Sequence, residues 1–89
     1  SALKLLGCTI EEFKLYIQNL FEKEMNWENW GEIWELDHKI ACAKFDLTKL
    51  EEQQKCFHFL NLQPLIKTTE IAEELGHKGY IGNRDKGDK

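Results

Sequence analysis

Apolar and polar residues alternate in two different rhythms along this chain, and each rhythm predicts an element. Ile10, Phe13, Ile17, Leu20 and Phe21 recur at three- and four-residue steps, the spacing that stacks side chains on one face of a helix. Thr9 and Glu12 stand in front of that run as a capping box. A helix is therefore predicted from Ile10 to Met25, with its apolar stripe turned toward the core. Asn26-Trp27-Glu28-Asn29-Trp30-Gly31 breaks the pattern and reads as a turn with aromatic anchors. From Ile33 to Cys42 the period becomes two. Trp34, Leu36, His38 and Ile40 fall on one side, with Glu35, Asp37 and Lys39 on the other, which predicts a strand.

The second half of the chain carries weaker signals. Thr48 and Glu51 make another capping box and predict a short helix ending near Phe57. Asn61 to Ile66 reads as a second extended run, confined to an edge or a strand end by Pro64. Thr68 or Thr69 can cap a further helix through Leu75, stopped by Gly76. Gly79 to Lys89 reads as a loop, or a loop leading into one helical turn. The whole is an α+β pattern: helices and two short extended runs.

Eighty-nine residues are enough for one domain with a modest core, and the ten aromatics, three of them Trp, supply the material for it. No apolar run approaches the ~20 residues that a membrane-spanning helix needs, and no signal peptide is visible. The chain opens Ser1-Ala2-Leu3 without an initiator Met, which predicts a processed or excised piece. Cys8, Cys42 and Cys56 are an odd number with no Cys-x-x-Cys spacing, so neither a disulfide framework nor a four-cysteine zinc site follows. A reduced, intracellular protein of cytoplasm or nucleus is the simpler reading. The net charge of −4 argues against strong unaided binding to nucleic acid. Its distribution changes that picture: residues 1–37 carry −5 and residues 38–89 carry +1. The positive end includes Lys78, Arg84, Lys86 and Lys89.

Three segments carry candidate chemistry: Trp34-Glu35-Leu36-Asp37-His38-Lys39-Ile40, then Asn61-Leu62-Gln63-Pro64-Leu65, then Asn83-Arg84-Asp85-Lys86-Gly87. In this order they resemble the HNH endonuclease family, whose ββα-metal fold has a strand ending in Asp-His, a second strand entered through Asn, and a helix bearing a third Asn or His. The aromatic-x-x-Asp-His run, Asn-Leu-Gln-Pro-Leu, and the upstream stretch from Leu6-Gly7-Cys8-Thr9 to Trp30-Gly31 are similar to HNH proteins of phages and large DNA viruses. The resemblance implies a virus- or phage-encoded, metal-dependent DNA endonuclease in a single domain. Residues 1–31 would be helical support, an N-terminal amphipathic helix packed on the rest, and residues 32–89 a ββα-metal core of two short antiparallel strands and a helix, with an insertion near 68–80.

The resemblance also implies roles. His38 would be the general base, since imidazole titrates near working pH. Asp37 and Asn83 would hold one Mg²⁺ or Mn²⁺, the ions that oxygen-only ligation favours. Asn61 would brace the loop between the strands and so hold His38 in place. Arg84, Lys86, Lys39 and Lys89 would reach DNA phosphates. Two points depart from the family pattern. Asn61 and Asn83 are 22 residues apart, longer than the resemblance implies, and Glu70 sits at the uninserted offset. Glu70 and His77 thus remain alternatives to Asn83. Asp37 and His38 on a regular strand would also point to opposite faces, so sharing one site requires the strand to end or bulge there.

Other readings use the same residues. His58 reads as a partly buried structural residue, although with Cys42 and Cys56 it could bind zinc. Trp27, Trp30 and Trp34 could be a base-stacking platform, but in so small a domain they are expected to fill the core. Thr69 to Gly76 resembles the first helix and turn of a helix-turn-helix, which would make the chain a non-catalytic DNA-binding module. Lys78-Gly79-Tyr80-Ile81-Gly82 is a poor recognition helix, because two glycines interrupt it. A protein-interaction domain is the third reading, favoured by the acidic N-terminal half. The expected partner is DNA, with a separate DNA-binding segment or a second copy completing the assembly.

Overall fold

The computed structural model describes residues 2–87 and shows a small α+β fold of four α-helices and one two-stranded antiparallel sheet. A short helix α1 (Ala2–Leu6) precedes α2 (Ile10–Asn19). Strand β1 is Trp34–His38, α3 is Leu50–Phe57, β2 is Leu62–Ile66 and α4 is Thr69–Glu74. A single 3₁₀ turn at Asn83–Asp85 ends the described chain.

The capping box opens α2 as expected: Glu12 N–H donates to Thr9 Oγ1, and Thr9 N–H donates back to Glu12 Oε1. The helix is shorter than the Ile10–Met25 expected from periodicity. It stops because Phe21 turns in against Trp27 and Trp34, with ring centroids 5.2 and 5.0 Å away. Burying that aromatic outweighs another turn of helix, and tertiary packing overrides the local pattern. Ile17, Met25, Trp34, Ile66 and Ala72 form the core beneath it. Trp34 is wholly buried, and its indole N–H donates to the Asn26 carbonyl at 2.7 Å. Trp30 stacks on Trp34 yet remains 51% exposed, so the three tryptophans fill the core only in part.

Strand β1 also stops short of the predicted Cys42. The cause is Asn61. Its Oδ1 accepts from Ile40 N–H, while its Nδ2 donates to the Ile40 and Cys56 carbonyls, and its own carbonyl accepts from Lys39 N–H. One side chain thus takes both backbone groups of Ile40 that a continuing ladder would need. Before that point the register is regular, with Trp34 opposite Ile66, Asp37 opposite Gln63 and His38 opposite Leu62.

The expected cap at Thr48 is not used. Thr48 N–H and Oγ–H both bond Asp46 Oδ1, forming a local turn, and α3 begins at Leu50 behind Lys49. Such side-chain-to-backbone bonding competes with capping. Thr68, rather than Thr69, caps α4 by accepting from Ile71 N–H. The helix ends before Gly76, whose φ of +90° suits glycine. Residues 77–82 contain no helix, so the second half of a helix-turn-helix is absent. The cysteine reading also needs correction. Cys42 and Cys56 are joined as a disulfide, and Cys8 is the free cysteine. Spacing could not reveal the pairing, because the turn at 46–49 brings α3 back under β1.

Candidate metal and phosphate site

The site is built where the 3₁₀ turn folds back onto β1. Three contacts dock it: Arg84 N–H donates to the Lys67 carbonyl, Gly82 N–H to Thr69 Oγ1, and Thr69 N–H to Asp85 Oδ2. Gly82 is buried with its Cα against the Thr68 and Thr69 backbone, where a Cβ would collide. This contact sets the turn's approach. Docking brings Asn83 to 3.5 Å from Glu35 Oε1 and lays the Arg84 guanidinium along both oxygens of Glu35. The Arg84 hydrogen bonds hold the Glu35 carboxyl below its ordinary pKa, against a smaller upward push from burial.

Asp37 is the centre of the site. Its side chain is wholly buried, and its Oδ2 accepts from Gln63 Nε2 at 2.8 Å and from Lys86 Nζ at 3.1 Å. Gln63 is there because it stands directly across the ladder from Asp37. Burial pushes the Lys86 ammonium below the ordinary lysine value. One strand face thus gathers Glu35, Asp37, Gln63, Asn83, Arg84 and Lys86. Glu35 and Gln63 were not singled out from the sequence. Their signal was present in the two-residue spacing of Glu35 and Asp37 and in the register opposite Gln63.

His38 follows Asp37 but faces the other way, as strand alternation requires. Its ring meets the edge of Phe57 at 5.6 Å, and it lies beside Cys42 and Cys56. Burial lowers the His38 pKa from the ordinary histidine value. The strand ends at this residue, and Asn61 clamps the two positions that follow.

The remaining candidates lie apart. Glu70 is exposed on α4. His77 pairs with Glu24 at 2.7 Å, far in sequence and in contacts from Asp37. Lys39 donates to the Tyr16 hydroxyl and, with Gln63, lines a cleft of about 280 Å³. Lys89 lies outside the described residues. His58 stacks on Phe59 and accepts from Leu60 N–H, so His38 rather than His58 is the histidine beside the Cys42–Cys56 pair. No described helix is long and apolar enough to cross a membrane.

Two relatives are found, both from Acanthamoeba polyphaga mimivirus. Over 60 residues the chain is 45% identical to uncharacterized protein L426, which covers 67% of this chain and 26% of that protein. Over 69 residues it is 38% identical to uncharacterized protein L246, covering 78% of this chain and 30% of the relative. The chain therefore spans between a quarter and a third of the length of these relatives. No family model matches it. No solved structure matches it either.

Proposed function

We propose that this chain is the nuclease portion of a metal-dependent DNA endonuclease of the HNH type, with a ββα-metal core. One observation carries the reading. The segment at 83–86 returns across 49 residues of sequence to put Lys86 on Asp37 and Arg84 on Glu35, with Asn83 beside Glu35.

The residues fit a hard divalent cation. Asp37 is a buried carboxylate that already holds one positive charge, the Lys86 ammonium; Gln63 bonds it across the ladder, and Glu35 and Asn83 meet each other on the same strand face. Oxygen donors select Mg²⁺ or Mn²⁺ over softer metals. Asp37 and Asn83 would hold the ion, which when bound stabilises negative charge on a phosphodiester undergoing cleavage.

The chain's own groups do the rest. His38 accepts the proton of the attacking water through its neutral ring. His38 and Asp37 face opposite sides of β1, so a phosphodiester served by both would have to reach across the end of the strand. Asn61 positions His38 by fixing Lys39 and Ile40 behind it. The Arg84 side chain, paired with Glu35, is still 60% exposed and can meet a neighbouring phosphate; Lys39 offers a second cation from the adjoining cleft. Lys86, which now pairs with Asp37, would supply a third if a metal took its place there.

The test is nicking of supercoiled plasmid by the purified chain. Relaxed circles are expected with Mg²⁺ or Mn²⁺ and none with EDTA, without loss of circular dichroism. His38→Ala should lower the rate by ~10²–10⁴ while the fold persists. Metal-independent nicking, or full activity in His38→Ala, would refute this function.

A further inference from the structure

A second cluster lies on the opposite face of β1 from Asp37. One nitrogen of His38 and the sulfurs of Cys42 and Cys56 all lie within 4.8 Å of one another. Three elements converge to make it: the last residue of β1, the turn after it, and the last turn of α3. Cys56 is wholly buried, while His38 and Cys42 are half-buried. The Asn61 side chain holds the Cys56 carbonyl, and the Phe57 ring walls the histidine.

We propose that, when Cys42 and Cys56 are reduced, they and His38 form a site for a thiophilic cation such as Zn²⁺, with solvent at the fourth position. Thiolate and imidazole are the ligands that zinc prefers, and neither resembles the oxygen set around Asp37. Tetrahedral zinc places sulfur and nitrogen ligands about 3.5–3.8 Å apart, so the three atoms need only small movements to converge. The disulfide form offers no thiolates and binds no metal there. Reduction by a phosphine takes oxygen from water, giving the phosphine oxide and two thiols, and metal binding then releases one proton from each thiol.

The consequence for activity rests on the nuclease reading. A zinc ion on His38 occupies the ring that would accept the proton from water. Zinc at this site is therefore an inhibitor of Mg²⁺-supported nicking, active only on the reduced protein.

Cobalt titration tests the site without reference to activity. Phosphine-reduced protein should bind one equivalent of Co²⁺ with a thiolate-to-cobalt charge-transfer band and tetrahedral d–d absorption, and the oxidised protein should show neither. Cys42→Ser and Cys56→Ser should each weaken binding at least tenfold; Cys42 is half-exposed, so its variant is the milder test of folding. His38→Ala should also weaken binding at least tenfold, whereas His58→Ala should leave it unchanged. Absence of the band in reduced protein, or full-strength binding by His38→Ala, would overturn the proposal. In the activity arm, one equivalent of Zn²⁺ should suppress nicking by reduced wild type and spare Cys42→Ser. Zinc-resistant nicking despite cobalt binding would overturn the inhibitory role. A chain that binds cobalt but never nicks would instead sink the nuclease reading and leave the site standing.

Discussion

Replacing Asn61 should cost this fold a large part of its stability. Asn61 is buried and makes three side-chain hydrogen bonds, two to Ile40 and one to the Cys56 carbonyl, at 2.8 to 3.0 Å. Each contributes about 1 kcal/mol net, so Asn61→Ala should destabilise by ~3 kcal/mol. Against a total of roughly 5–15 kcal/mol for a domain, that is a large fraction. It corresponds to a fall of about 12–24 °C in melting temperature for a chain of this size. Asn61→Asp sharpens the test, because it is nearly isosteric. The carboxylate can still accept from Ile40 N–H, but it faces two carbonyl oxygens where the amide donated. Its folded pKa would be raised, so the protonated variant is favoured at low pH and stability is lost as pH rises above the unfolded value. Urea unfolding at pH 7 and pH 4 reads both effects. Asn61→Ala within 0.5 kcal/mol of wild type, or an Asn61→Asp variant indifferent to pH, would refute the clamp.

Asn83→Ala should lower nicking about tenfold or more and raise the Mg²⁺ required, while Glu70→Ala leaves both unchanged; the reverse pattern in a Mg²⁺ titration would make α4 the ligand-bearing helix. Gly82→Ala should destabilise by ~1–3 kcal/mol and uncouple the 83–86 turn from β1, since the added Cβ meets the backbone of Thr68 and Thr69; unchanged thermal unfolding would show that this approach is not needed. The Asp85 carboxyl is held below its ordinary pKa, first by the Thr69 backbone N–H and then by its hydroxyl. Its contribution is full above the unfolded value and lost as pH falls through the folded one. Asp85→Asn should therefore melt below wild type at pH 7, with the gap closing in acid; a gap independent of pH would mean the carboxylate's charge plays no part.

Elements were legible where local sequence and tertiary packing agree. Both strands and the Thr9 cap of α2 follow from pattern alone, while the turn at Asn83 was one of two readings of the tail. Boundaries failed where a distant residue intervened. Periodicity could not know that Phe21 would leave the helix for Trp34, nor that Asn61 would occupy Ile40 and stop β1. The same holds for the site. Asp37 and Asn83 were readable as segments of a motif, but Gln63 enters through cross-strand register and Glu35 through a contact 49 residues away. The Cys42–Cys56 pair is the clearest case of this limit. A separation of 14 residues says nothing of a turn that returns the chain beneath β1.

The excursion between the two strands is tied off at its base. Asn61 holds Ile40 and Cys56, and Cys42 is joined to Cys56, so the geometry of His38 is set before the chain reaches the tip at Asp46–Lys49. All four residues of that tip are exposed. Doubling a flexible loop costs only ~0.6 kcal/mol in closure entropy, and exposed tips are where insertions are best tolerated. The tip is thus a natural grafting point: a peptide tag or a whole target-reading module could be spliced in at Leu47 without shifting the residues below the knot.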